Sequence, residues 1–394
     1  MTDFQKNMVS LIRSGITSEP AVLTDSLNWL EVLKCAETYQ IASVIYYGVH
    51  RSGIKPPDDI YKTLKALTYN TAAIDNRQNY ELSELSKAFS ENNIDYMPLK
   101  GIILKKLYPN SEMRFMSDMD ILIKVDQYSV ISQIMKNLGY SETGESDHEL
   151  IWKKPQASKI ELHKRLISSY NKDYYKYYGD GWRLARLSEQ DGCHYELRDE
   201  DQFIYLFTHF AKHYRAGGIG IKHLIDFGVF LNKHPALDKN YIETELTKLQ
   251  LYKFYINIME TLSVWFDDAS PDDITDFITN QIFTSGAYGT HDAKIIASAV
   301  KEFNTEGSAT GARRKKMLHA VFSPFTLMQK KYPILKKAPV LLPFFWGVRI
   351  IQVVLFRRDS IKLHRKNMNI MTTENIDGYH DDLNYVGLDF NFNE

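Results

Sequence analysis

The chain changes its hydrophobic period in one place, and that change constrains its fold more than any other feature. On either side apolar residues recur at helical spacing, whereas between about Ile94 and Leu166 they alternate or form short blocks of strand length. Inside this island, Asp118-Met119-Asp120-Ile121-Leu122-Ile123 opens an apolar strand with two carboxylates. Asp is disfavoured in strands, and residues two apart share a strand face, so the two charges point the same way. Either the pair lies at a solvated strand end, or something positive sits between them.

The island has clear borders. Helical patterns fill Phe4 to Asn92, broken at "SGIKPPDD" (Ser52–Asp59), where Pro57 and two aspartates suit a helix start. Asn92-Asn93 suits a helix stop. "IDYMPLKG" then reads as a strand ending at Gly101, and "IILKKLY" as a helix. After the second strand, Asp126 is expected to cap "QYSVISQIMKNLG", with Gly139 closing it. "HELIWKK" and "SKIELHK" flank Pro155-Gln156-Ala157 as a hairpin, and "CHYELR" is a weak further strand. From Asp199 helices return, with Phe203, Phe207, Phe210 and Tyr214 along one face of "DQFIYLFTHFAKHYR". The expected fold class is therefore α+β: a small mixed sheet flanked by N-terminal helices and a larger C-terminal helical region. The expected divisions are 1–93, 94–195, 196–366 and a polar tail, 367–394, without a sustained period.

Composition excludes several classes. A chain of 394 residues has room for two or three compact units. Its net charge of −1 argues against a protein built to wrap long nucleic acid. The two cysteines, Cys35 and Cys193, make neither a disulfide framework nor a metal-ligand spacing, which fits a reducing, cytoplasmic location. "MTDFQKNMVSLIRSG" lacks the charged and apolar regions of a signal peptide.

Two carboxylates on one strand face become stable around a divalent cation. Mg²⁺ combines carboxylates with substrate phosphate oxygens, and paired ions can orient a hydroxyl and neutralise a leaving group. A solvated pair is the plain alternative, but the neighbours point to the metal. Lys100-Gly101 stands at a strand-to-helix turn, where glycine permits close approach and lysine offers a point charge for phosphate. Arg114 and Ser117 precede the pair. Glu161 follows on the next strand, with His163 on the same face.

The order "LKGxxL…YP…R…SDxD" followed by "ELH" resembles the bacterial uncharacterised nucleotidyltransferase family of the polymerase-β-like superfamily. The resemblance extends to the helical lead-in, to "THFAKH…KHLIDF" and to "YPILKKAPVLLPFFWGVR". It implies that Asp118, Asp120 and Glu161 are catalytic and hold Mg²⁺ (or Mn²⁺), and that Lys100 and Gly101 cradle a nucleoside triphosphate such as ATP. Arg114, Ser117, His163 and His209 are implied on the substrate side. The implied reaction moves a nucleoside monophosphate onto an acceptor hydroxyl of a small molecule, sugar, protein or RNA end, with release of pyrophosphate. The serine of the wider superfamily's Gly-Ser pair is missing here, so either Lys100 substitutes electrostatically or the nucleotide sits differently.

Two other functions compete with this one. A nucleotide-binding protein without catalysis would keep the fold but need not keep all three carboxylates. A metal-dependent hydrolase would use His209 and His213, four apart on one helix face, with Asp226. The same histidines also suit a polar pocket wall or plain structural bonding. "RAGGIGIK" (Arg215–Lys222) lacks phosphate-loop spacing and reads as a connection, and "RRKK" (Arg313–Lys316) as a solvated helix end. Ala338–Phe356 is almost wholly apolar between basic flanks, yet Pro339, Pro343, Gly347 and a central Arg349 oppose a spanning helix. It is expected to pack as a core helix, with contact at a membrane surface as the alternative. Replacing Asp120 by Ala is expected to abolish transfer and to leave the fold intact.

Overall fold

The computed structural model describes residues 1–388 except 18, 25, 26, 189–191, 288, 307–309, 312, 313, 315–317, 319–321 and 357–365. Apart from Arg314, the basic run Arg313–Lys316 lies outside the described residues.

Four helices lead in: α1 Asp3–Ile16, α2 Trp29–Thr38, α3 Ala42–Arg51 and the long α4 Asp58–Glu91. α4 starts at the Pro57-Asp58-Asp59 break and stops at Asn92, with Asn93 in the left-handed region. The island then delivers β1 Tyr96–Pro98, the short α5 Gly101–Leu104, β2 Asp118–Ile123, α6 Tyr128–Asn137, β3 Ser141–Glu145, β4 Glu149–Lys153 and β5 Lys159–His163. They form one mixed sheet in the order β1-β2-β5-β4-β3. β2 runs parallel to β5, and the remaining pairs are antiparallel. The expected hairpin is β4–β5, turning through Gln156 in the left-handed region. The expected α+β class holds.

Alternation explains the sheet's two faces. Met119, Ile121 and Ile123 of β2, Ile160 and Leu162 of β5, and Leu150 and Trp152 of β4 lie in one buried cluster. Leu85 and Phe89 of α4 and Ile131, Ile134 and Met135 of α6 belong to the same cluster. The residues between them therefore emerge on the opposite face.

Beyond the sheet come α7 Lys172–Tyr178, the two-residue strands β6 Arg186–Leu187 and β7 Tyr195–Glu196, and the helices α8 Asp199–Arg215, α9 Ile221–Lys233, α10 Lys239–Lys248, α11 Tyr252–Phe266 and α12 Asp273–Thr284. Phe203, Phe207 and Phe210 of α8 meet Phe227 of α9 with ring centroids 5.3–5.6 Å apart. The expected aromatic stripe is thus a core, edge-on and tilted as such rings prefer.

The chain divides into two compact units. One comprises Met1–Ala211 and Ile219–Ala287; the other comprises Lys212–Gly218 and Tyr288–Phe392. The second unit contains α13 His291–Glu306, α14 Phe325–Lys331, α15 Leu342–Phe356 and α16 Thr373–Val386. Three local expectations change. The segment read as a polar tail carries α16, whose Ile376, Leu383 and Val386 are buried, because three apolar residues at helical spacing suffice to seat a short helix. Asp126 does not cap α6: it lies in a 3₁₀ turn, Val125–Gln127, and Gln127 precedes the helix without a side-chain cap. α15 is not a core helix, since each of its residues from Leu342 to Gln352 is exposed or only half-buried.

Candidate active site

The face opposite the core gathers charged side chains by register alone. Asp118 stands beside Lys159, Asp120 beside Glu161, and Leu122 beside His163 across the β2–β5 pair. Glu149 of β4 stands opposite His163 from the other side. Asp118, Asp120, Glu161 and His163 are thus brought together by the two-residue period of two adjacent strands.

Something positive does sit between the carboxylates. Lys159 Nζ lies 2.9 Å from Asp118 Oδ2 and 2.6 Å from Glu161 Oε1. Lys100 Nζ donates to Asp120 Oδ1 at 2.9 Å, and His163 Nε2 lies 2.7 Å from the same oxygen. Burial opposes ionisation of Asp120, but Lys100 and His163 outweigh it and hold this carboxyl well below the usual carboxylate range. Glu161 shifts the other way. Burial raises it first, and repulsion from Asp120, Asp118 and Glu149 adds to that, against the bond from Lys159. The lysines lose some charge stability to burial, yet their carboxylate partners raise both above the ordinary lysine value.

The Lys100-Gly101 turn is held to β2 by Leu99 N–H donating to Asp120 O at 2.9 Å. The left-handed residue is Lys100, with φ of +45°, and not Gly101. Gly101 has a packing reason: a Cβ there would come 2.7 Å from Met116 Sδ. With only four residues, α5 offers little helix dipole to an anion.

Arg114 is buried and paired within the protein. Its Nε and Nη2 donate to Asp226 Oδ1 and Oδ2 at 2.6 and 2.8 Å, a buried bidentate pair that Tyr108 Oη joins at 2.7 Å. Asp226 is therefore committed to Arg114 and Tyr108. Ser117 is exposed at the entrance of β2. His209 lies on α8 with its ring 6.4 Å from that of Tyr205.

Three further residues bear on the site, and two of them, Tyr205 and Lys222, lie far from the motifs. Among the described residues the buried Tyr205 hydroxyl has no hydrogen-bond partner, and its proton is held up to about 12 by burial, with the fields of Lys100 and Asp120 acting on it. Lys222, at the start of α9, is 4% exposed and donates to Gln40 Oε1 at 3.1 Å. Burial and then Arg114 bring it down to about 7, partly offset by Asp226 and Asp118. Lys159 is the third. Its signal was present, because "KIELH" puts it on the face of Glu161 and His163.

Among the described residues two groups have ligand atoms within 4.8 Å of one another: Asp120–Glu161–His163 and His148–Glu149–His163. Neither contains His209, His213 or Asp226. The carboxylates of Asp118, Asp120 and Glu161 are hard oxygen donors that already attract cationic nitrogen, the donor chemistry that Mg²⁺ or Mn²⁺ requires. Among the described residues the buried His163 Nδ1 has no partner, while Nε2 meets Asp120.

No curated protein and no solved structure matches the chain. The family model described as uncharacterised nucleotidyltransferase matches residues 25–267, from the helical lead-in through the sheet to the end of α11. The stretch Tyr332–Arg349, which took part in the resemblance, lies beyond that match. More than half of the chain is covered, with both carboxylate strands inside, and the protein belongs to the uncharacterised nucleotidyltransferase family.

Proposed function

We propose that the protein transfers a nucleoside monophosphate from a nucleoside triphosphate to an acceptor hydroxyl, releasing pyrophosphate. The observation that carries this reading is the convergence of Asp118, Asp120 and Glu161 on one sheet face, where ammonium groups compensate their charge. Mg²⁺ or Mn²⁺ held by these three carboxylates would neutralise phosphate charge and orient the acceptor. Lys100 keeps its charge at all physiological pH values and directs it at the phosphates. Glu161, the carboxylate with the raised proton affinity, accepts the acceptor's proton at its side-chain oxygen. Asp120, pinned by Lys100 and His163, stays ionised and fixes the geometry. Ser117, exposed beside Asp118, and Lys100-Gly101, whose turn is tied to β2 through Leu99, would line the approach of the substrate. Positioning and charge compensation then supply most of the rate.

The test is incubation of the purified chain with each nucleoside triphosphate and Mg²⁺ or Mn²⁺, following pyrophosphate and label transfer into a cell extract. Transfer should fall at least about a hundredfold in Asp120→Asn and Glu161→Gln. Near-isosteric changes keep the buried hydrogen bonds that Asp120→Ala would remove. Truncation to Ala would leave Lys100 and His163 buried without this partner, so fold stability is expected to fall with it. Transfer that persists in both variants, or no consumption of any triphosphate, overturns the proposal.

A further inference from the structure

A second feature lies outside the family match. From Gly307 to Arg358 the sequence holds eleven Lys and Arg and no Asp or Glu, although the whole chain has a net charge of −1. The described part of this segment folds on itself. Met328 of α14 and Leu335 are buried, the Tyr332 and Phe345 rings lie 4.6 Å apart, and Trp346 Nε1 donates to Ser323 O at 2.9 Å. Its outer side is apolar: Leu327, Ile334, Val340, Phe344 and Ile351 are each more than half exposed. Phe344 and Ile351 stand seven residues apart on α15, hence on one helix face. Lys331, Lys336 and Lys337 are exposed among them.

Large apolar side chains left in water mark a surface that something else covers. The charge selects what covers it. A second copy of this segment would set eleven cations against eleven. Nucleic acid would satisfy the charge but has no hydrocarbon to receive Val340, Ile334, Leu327 and Ile351. An anionic lipid surface satisfies both, with apolar residues at the headgroup boundary and lysines on the phosphates. A span is not required, and no helix among the described residues is long and apolar enough to cross a membrane.

We infer that the Phe325–Phe356 segment docks the protein on a membrane surface rich in anionic lipid. The test is flotation of the full chain with phosphatidylcholine vesicles, with and without ~30% phosphatidylserine. Flotation is expected only with phosphatidylserine, with release by high salt. Combined Lys336→Glu and Lys337→Glu should weaken binding at least about tenfold. Combined Val340→Asp and Phe344→Asp should abolish flotation with an unchanged thermal midpoint, because both side chains already face water. Protein that stays at the bottom with anionic vesicles overturns the inference, as does flotation indifferent to both pairs of changes. Tighter binding to RNA than to vesicles, or a dimer dissolved by the Val340/Phe344 changes, would assign the surface to nucleic acid or to a second copy instead.

Discussion

Asp120 is met by Lys100 and His163, while Lys159 spans Asp118 and Glu161, so the face compensates its own charge with nitrogen. Removing Lys159 exposes the latent repulsion. Lys159→Met should lower the thermal midpoint without divalent metal, and added Mg²⁺ should raise it more than in the unaltered protein. Equal Mg²⁺ responses in a thermal-shift titration would count against metal binding at these carboxylates. Lys222 gives a pH dependence whose sign can be worked out. Its folded value of about 7 lies below the ordinary 10.5, so between the two the unfolded chain binds more protons. Its contribution therefore makes stability rise with pH across that window and leaves it flat below about 7. Lys222→Met should remove that slope and stabilise the protein at pH 7 by a few kcal/mol, read from urea unfolding at several pH values. The carboxylates were legible in the sequence because a period of two fixes a strand's faces. Lys222 and Tyr205 were not, since no local pattern states which turn of α8 or α9 will meet the sheet.

α4 is an element whose sequence looks wrong for a buried helix until its partners are seen. Asp75, Gln78 and Glu81, three residues apart and all buried, each hold a different part of the site's support. Asp75 takes Lys105 Nζ at 2.8 Å and Ser111 Oγ at 2.6 Å; Gln78 donates to Met116 O at 2.8 Å; Glu81 accepts from Ser158 N–H at 3.1 Å. One polar stripe thus fixes both approaches to the carboxylate strands. Asp75→Ala leaves the Lys105 charge buried without its carboxylate and should cost ~3–5 kcal/mol, measured by chemical denaturation. Asp75→Ala with Lys105→Met should recover much of that loss. Helix lengths and breaks here were legible from Pro57 and Asn93. β3 was missed because it is an exposed strand of Ser, Glu, Thr and Gly, which carries no apolar alternation to detect.

At the scale of the whole molecule, the Arg114–Asp226 pair joins the entrance of the carboxylate strand to α9 across more than a hundred residues of sequence. Neither residue reveals this locally: an Arg before a DxD motif suggests phosphate, and an Asp near histidines suggests metal. Long-range ion pairs have no period, so this one leaves no local signal in the sequence. The division into two units was equally hidden, because α8 runs through the boundary without interruption. Charge is divided unevenly along the chain as well. An isoelectric point near 6.9 describes an average of two unlike parts: 307–358 has only positive groups, and everything else carries the matching acidic excess. In the hands of a chromatographer such a chain is a mosaic, able at neutral pH to adhere to a cation exchanger by one stretch and to an anion exchanger by the rest. A clipped form lacking the basic stretch would focus far to the acid side, which makes isoelectric focusing a sensitive check that a preparation is intact.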